Sequence, residues 1–167
     1  NAMDLVKNLL FAKANESDFQ KIKDIWKEIM YNLQQCREDS SPLRFLRYFI
    51  IARYHNGIIR EDELYRWFIS KEGLEALNYE KNPLGLAKEF PNVTSIGYVN
   101  KYRSRQHLIL LLALSEQADK EAIEYLAKQL ESLFFYSITL SIQAKANESN
   151  FTKWAVKLRG KKTTSEI

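Results

Sequence analysis

The chain has 167 residues, a net charge of +4, and apolar and charged fractions of 46% and 28%; that length and balance exclude a disordered polymer and fit one folded unit burying roughly 68–70% of its unfolded surface. Five Gly and three Pro argue against a turn-rich all-β fold, and the single cysteine, Cys36, excludes an internal disulfide or a cysteine zinc cluster and fits a reducing, cytoplasmic setting. The longest apolar run, LILLLAL at 108–114, falls far short of the ~20 residues that span a bilayer.

Asn1 and Ala2, ahead of Met3, read as the remnant of a cleaved tag. Residues 1–3 are therefore set aside, 4–160 are expected to form one helical domain, and 161–167 a polar tail or linker that frays. The first helix is DLVKNLLF (4–11), with Leu5, Val6, Leu9 and Leu10 on one stripe. In SDFQKIKDIWKEIMYNLQQC (17–36), Phe19, Ile22, Ile25, Trp26, Ile29, Met30 and Leu33 recur at the spacing of an amphipathic helix. Ser17 followed by Gln20 has the form of a capping box.

SSPLRFLRYFIIARY (40–54) predicts a third helix, opened by Ser41 and Pro42 and closed at Asn56 and Gly57. REDELYRWFISKEG (60–73) predicts a fourth, with acids in its first turn and Gly73 near its end. Pro83, Gly85, Pro91 and Gly97 divide 74–106 into short pieces, in which VTSIGYV is a candidate extended segment. HLILLLALSEQ (107–117), apolar on all sides, is expected to be a buried central helix. Asp119 then caps a long helix, KEAIEYLAKQLESLFFYSITLSIQAKAN, whose buried stripe continues through Ser137 to Leu140 and Ser141. An octapeptide recurs almost unchanged, AKANESDF at 12–19 and AKANESNF at 144–151. The flanks of the two copies do not match, so a periodic repeat is excluded. Both copies are read as helix breaks, the second ending one helix near Asn147 and starting NFTKWAVKLRG from Ser149. The expected fold is all-α, a bundle of about seven helices.

No side-chain pattern nominates a catalyst. His55 and His107 belong to no HExxH, no Asp/Glu/His cluster has metal-ligand spacing, and no glycine-rich phosphate loop occurs. The Arg-then-His signature of HEPN-type ribonucleases has four to six intervening residues. Arg103 to His107 has three and Arg47 to His55 has seven. No metal or cofactor is expected. The basic segment NKYRSRQH places Lys101, Arg103 and Arg105 around Tyr102, cations for phosphate and a ring for base stacking. Lys153 and Lys157 share a helical face. For both groups a solvated or ion-paired surface is the alternative reading. Arg44 and Arg47 either line a groove or lie over the core.

DLVKNLLF, the helix containing Trp26, LRFLRYF, DELYRWF and HLILLLALSEQADKEAIEYLAKQLESLFFYSITL together resemble the helical region of GmrSD-like proteins. These are modification-dependent type IV restriction enzymes and relatives in phage defence. The resemblance covers most of 4–159. In that family a ParB/sulfiredoxin-like nucleotidase domain with an Asp-Gly-Gln-Gln-Arg motif precedes the helices, and an HNH nuclease domain often follows. Neither motif occurs in this sequence. The resemblance implies a non-catalytic helical domain that links catalytic modules, contributes to a dimer or interdomain surface, and touches DNA through phosphates. The competing expectation is a helical protein-interaction or dimerisation module without nucleic-acid affinity.

Overall fold

A computed structural model describes residues 2–12, 16, 18–35, 41–76, 105–142 and 144–167. Among these there are eight α-helices and two short 3-10 turns, and no strand. The helices are α1 (Ala2–Ala12), α2 (Phe19–Gln35), α3 (Pro42–Arg53), α4 (Leu64–Ile69), α5 (Lys71–Ala76), α6 (His107–Leu111), α7 (Lys120–Thr139) and α8 (Ala144–Leu158). The all-α expectation holds. The candidate extended segment at 93–99 lies outside the described residues.

The core is built where α3, α6 and α8 pack on one another. Phe45, Tyr48, Phe49, Ile50, Ile51 and Ala52 of α3 are buried on nearly every side, as are 107–114. The 107–114 segment is thus the buried centre expected from its sequence, with the buried half of α3 packed beside it. Helix α1 leans on α3 and α4, and α2 reaches the body through α1. Only the later part of the α2 stripe is buried, at Ile29 and Leu33, whereas Phe19 and Met30 are exposed. Gln20 donates its amide forward to Asp24 at 3.0 Å; the capping box expected with Ser17 lies outside the described residues.

Pro42 does open α3 with Ser41 as N-cap. Its other end differs from expectation. The helix closes at Tyr54, and the free carbonyls of its last turn are taken by Arg159 rather than by a turn at Asn56 and Gly57. Arg159 donates to the oxygens of Ile51 (3.1 Å), Ala52 (2.8 Å) and His55 (2.8 Å) and to Asn56 Oδ1 (2.7 Å). A cation at a helix C-terminus satisfies carbonyls that have no partner within the helix and meets the negative end of its dipole. The acids do collect in the 3-10 turn Glu61–Glu63, where Glu63 reaches back to accept the Arg60 N–H at 2.8 Å. The predicted 60–73 helix is split, however. Ser70 Oγ donates to the Trp67 carbonyl and accepts from the Gly73 N–H, ending α4 and opening α5. Gly73 is therefore interior to α5, and its role is close approach: a Cβ there would lie 2.1 Å from the Trp67 oxygen.

Helix α6 ends at Leu111, short of the predicted 117, because the next backbone groups pair with the chain's tail. Gly160 N–H donates to the Ala113 carbonyl (3.3 Å), Ser115 N–H to Lys161 (2.9 Å) and Asp119 N–H to Lys162 (2.9 Å). Gly160 sits at φ +76, the left-handed turn that closes α8. Residues 161–167, expected to fray, instead form a 3-10 turn over Thr164–Glu166, with Ile167 packed against the core. Asp119 is the N-cap of α7, without a side-chain capping bond.

The β-branched end of the long helix is helical through Thr139, as read from the sequence. Ser137 is buried, but Leu140 is exposed and Ser141, at φ +54, lies beyond the helix. Helix α7 therefore ends at Thr139, ahead of the predicted break. The second octapeptide, predicted as a break at Asn147, is helical throughout.

Candidate interaction surface

Lys101, Tyr102 and Arg103 lie outside the described residues. Arg105 is half-buried just before α6. Lys153 and Lys157 stand on the exposed side of α8, one turn apart, and among the described residues neither has a carboxylate within ion-pair distance. Arg47 is a framework residue. Its guanidinium pairs with Glu148, donates from Nε to the Ile59 carbonyl at 2.5 Å and lies 5.1 Å above the Tyr48 ring. Glu148 also accepts from Gln106 Nε2 at 3.1 Å. One carboxylate thus ties α8 to α3 and to the start of α6. Burial raises the Tyr48 hydroxyl above its ordinary pKa, against the opposing pull of Arg47.

The histidines are equally structural. His107 begins α6, fully buried, with its ring edge-on to Phe134 at 6.1 Å. His55 follows α3, with Nδ1 3.6 Å from Glu72. Among the described residues no group of three His, Cys, Asp or Glu is placed to hold a metal ion, and no helix is long and apolar enough to cross a membrane.

The unusual surface is at the end of α7. Phe135 (59%), Tyr136 (62%), Ile138 (56%), Leu140 (68%) and Ile142 (44%) are all solvent-exposed. No charged residue occurs between Glu131 and Lys145. A helix end that is apolar all round is normally buried; here its large apolar side chains are exposed on two sides, and exposed apolar surface of this kind marks interaction sites. Tyr125, Gln129, Leu133, Tyr136 and Leu140 fall within an arc of about 80° on α7, given 100° per residue. This stripe runs beside a groove of about 320 Å³ between α7 and α8. Leu110, Leu130 and Leu158 form its buried floor, Tyr125 and Trp154 its walls, Lys157 its rim, and Ile167 lines it too. The two helices meet below through Phe134 and Phe151, with ring centroids 5.9 Å apart. The sequence reading nominated Lys153 and Lys157 but missed the groove. A signal near it was the uncharged stretch SLFFYSITLSIQ, read only as the continuation of the helical stripe through Ser137 to Leu140 and Ser141.

No known family model, characterised protein or solved structure matches this chain.

Proposed function

We propose that this chain works by docking an amphipathic helix of another polypeptide on its α7–α8 face, as the non-catalytic, cytoplasmic helical module of a GmrSD-like defence protein. The observation that carries the docking reading is the stripe of Tyr125, Leu133, Tyr136 and Leu140 on α7, with Tyr125, Tyr136 and Leu140 exposed, which runs beside a groove with an apolar floor. A helix laid on such a face buries its own apolar stripe by the usual helix-in-groove mode. The link to the defence family rests on the landmark segments of the sequence, and the natural partner in that setting is a neighbouring catalytic domain or a second subunit. The test is to titrate a designed leucine-rich amphipathic helical peptide into the isotopically labelled chain. Amide shifts should concentrate in α7 and α8 and vanish in a Tyr136→Glu/Leu140→Glu variant. Shifts scattered over the surface, or none, contradict the reading.

A second reading is favoured by Lys153 and Lys157, two cations one turn apart without carboxylate partners. They suit contacts to DNA phosphates that position without reading bases. On that reading duplex DNA binds more weakly as salt rises, and Lys153→Ala/Lys157→Ala lowers the slope of log K against log salt by roughly 2, about 0.9 per contact. An unchanged slope removes these lysines from any DNA contact.

A further inference from the structure

The groove specifies more about its occupant than apolarity. Its floor leucines belong to the folded core, so the depression exists before anything binds, as ligand-receiving clefts generally do. About 320 Å³ with an apolar floor and two aromatic walls suits one bulky apolar side chain, presented from a helix lying along the α7 stripe. The charged side chain among its lining residues is Lys157. Lys157 lines the groove and Lys153 stands one turn before it, about 6 Å along the helix axis at 1.5 Å per residue. Lys128 of α7, by contrast, is near Glu124 at 4.0 Å, and Lys162 donates to Gln117 at 2.9 Å. Among the described residues, Lys153 and Lys157 have no carboxylate within ion-pair distance, which leaves two cations on the α8 wall.

Resting on the docking reading above, we infer that the α7–α8 groove selects an acidic amphipathic helix: one large apolar anchor enters between Tyr125 and Trp154, and two carboxylates a turn apart on the same helix meet Lys153 and Lys157. Carboxylates three or four residues apart share a helix face, so the spacing of the two lysines matches a helical ligand.

The experiment uses two fluorescently labelled helical peptides with one apolar stripe and one Phe anchor, differing only in having Glu or Lys pairs beside the anchor. Anisotropy at near-physiological salt should give the Glu peptide about a tenfold lower Kd, the effect of two partly exposed charge pairs. Lys153→Glu/Lys157→Glu, both at exposed positions, should reverse that order. Replacing the anchor Phe by Ala should weaken binding about tenfold and abolish the emission change of Trp154, identified by comparison with Trp154→Phe. Equal affinity of the two peptides overturns the charge selection and leaves docking standing. An indifferent anchor overturns the groove's role. Binding of neither peptide overturns the inference and the docking reading together, and sedimentation showing the face occupied by a second copy overturns the acidic-helix inference alone.

Discussion

Two nearly identical octapeptides have different structures in this protein. In the first copy α1 stops at Ala12 and α2 starts at Phe19, so the copy spans a helix boundary. In the second, Ala144–Phe151 is unbroken helix. The copies differ only at Asp18 and Asn150. Their surroundings differ far more. Glu16 is exposed, whereas its counterpart Glu148 is held by Arg47 and Gln106. Phe19 is 51% exposed, resting against Phe11, whereas Phe151 is fully buried between Phe134 and Trp154. Asn and Ser are indifferent helix formers, and the propensity differences involved are a few tenths of a kcal/mol per residue. A buried ring and a buried ion pair outweigh them. Local sequence permits either state, and packing chooses.

The largest test of that comparison is at the aromatic position. Phe151→Ala should cost about 3–5 kcal/mol by denaturant unfolding, because it leaves a cavity at the α6–α7–α8 junction. Phe19→Ala, at a half-exposed site, should cost well under about 1 kcal/mol. Comparable losses would mean that burial does not separate the copies. Next is the carboxylate. Glu148→Ala removes the carboxylate partner of the partly buried Arg47 guanidinium and should cost about 1–2 kcal/mol, against less than about 0.5 kcal/mol for Glu16→Ala.

The same contrast sets how much of the molecule could be read in advance. The all-α class and the positions of α1, α2, α3 and α7 followed from apolar spacing, because each is long enough to show its period. What failed was every boundary made by a distant residue. Arg159 closes α3, the 160–162 backbone halts the α6 segment, and the Trp67 carbonyl fixes Gly73 inside α5; these contacts join residues that local periodicity cannot relate. The candidate site was legible only in part. Lys153 and Lys157 were visible as a shared face, but the exposure of Phe135–Ile142 was not, since an apolar helix end reads as core until its neighbours are known.

A smaller effect is expected at the far end of α8. Glu166 accepts from the Lys162 and Thr163 N–H groups at 2.6 and 3.1 Å, and these bonds hold its carboxyl below the usual range. Because the folded-state value is depressed, the contribution is complete above the ordinary Glu pKa of about 4.3 and fades as pH falls through the folded value. Protection factors at the Lys162 and Thr163 amides, corrected for the intrinsic pH dependence of exchange, should fall over that acid window, and Glu166→Gln should remove this fall; a profile identical in Glu166→Gln would break the assignment. Smallest of all is the reciprocal exchange Asp18→Asn with Asn150→Asp. Stability should change by less than about 0.5 kcal/mol, and Cα chemical shifts should keep helix at 144–151. Helix lost there in the exchanged protein would show that the sequence difference decides.

The claim on which the functional account depends is that the apolar face of α7 is spare, available to a partner and unnecessary to the fold. Equilibrium unfolding of Tyr136→Glu/Leu140→Glu tests it directly. Stability within about 0.5 kcal/mol of the parent is expected, as for other exposed positions. A loss of about 2 kcal/mol or more, the cost of disrupting a buried apolar site, would mean that the chain itself covers this face, and the docking account would be wrong.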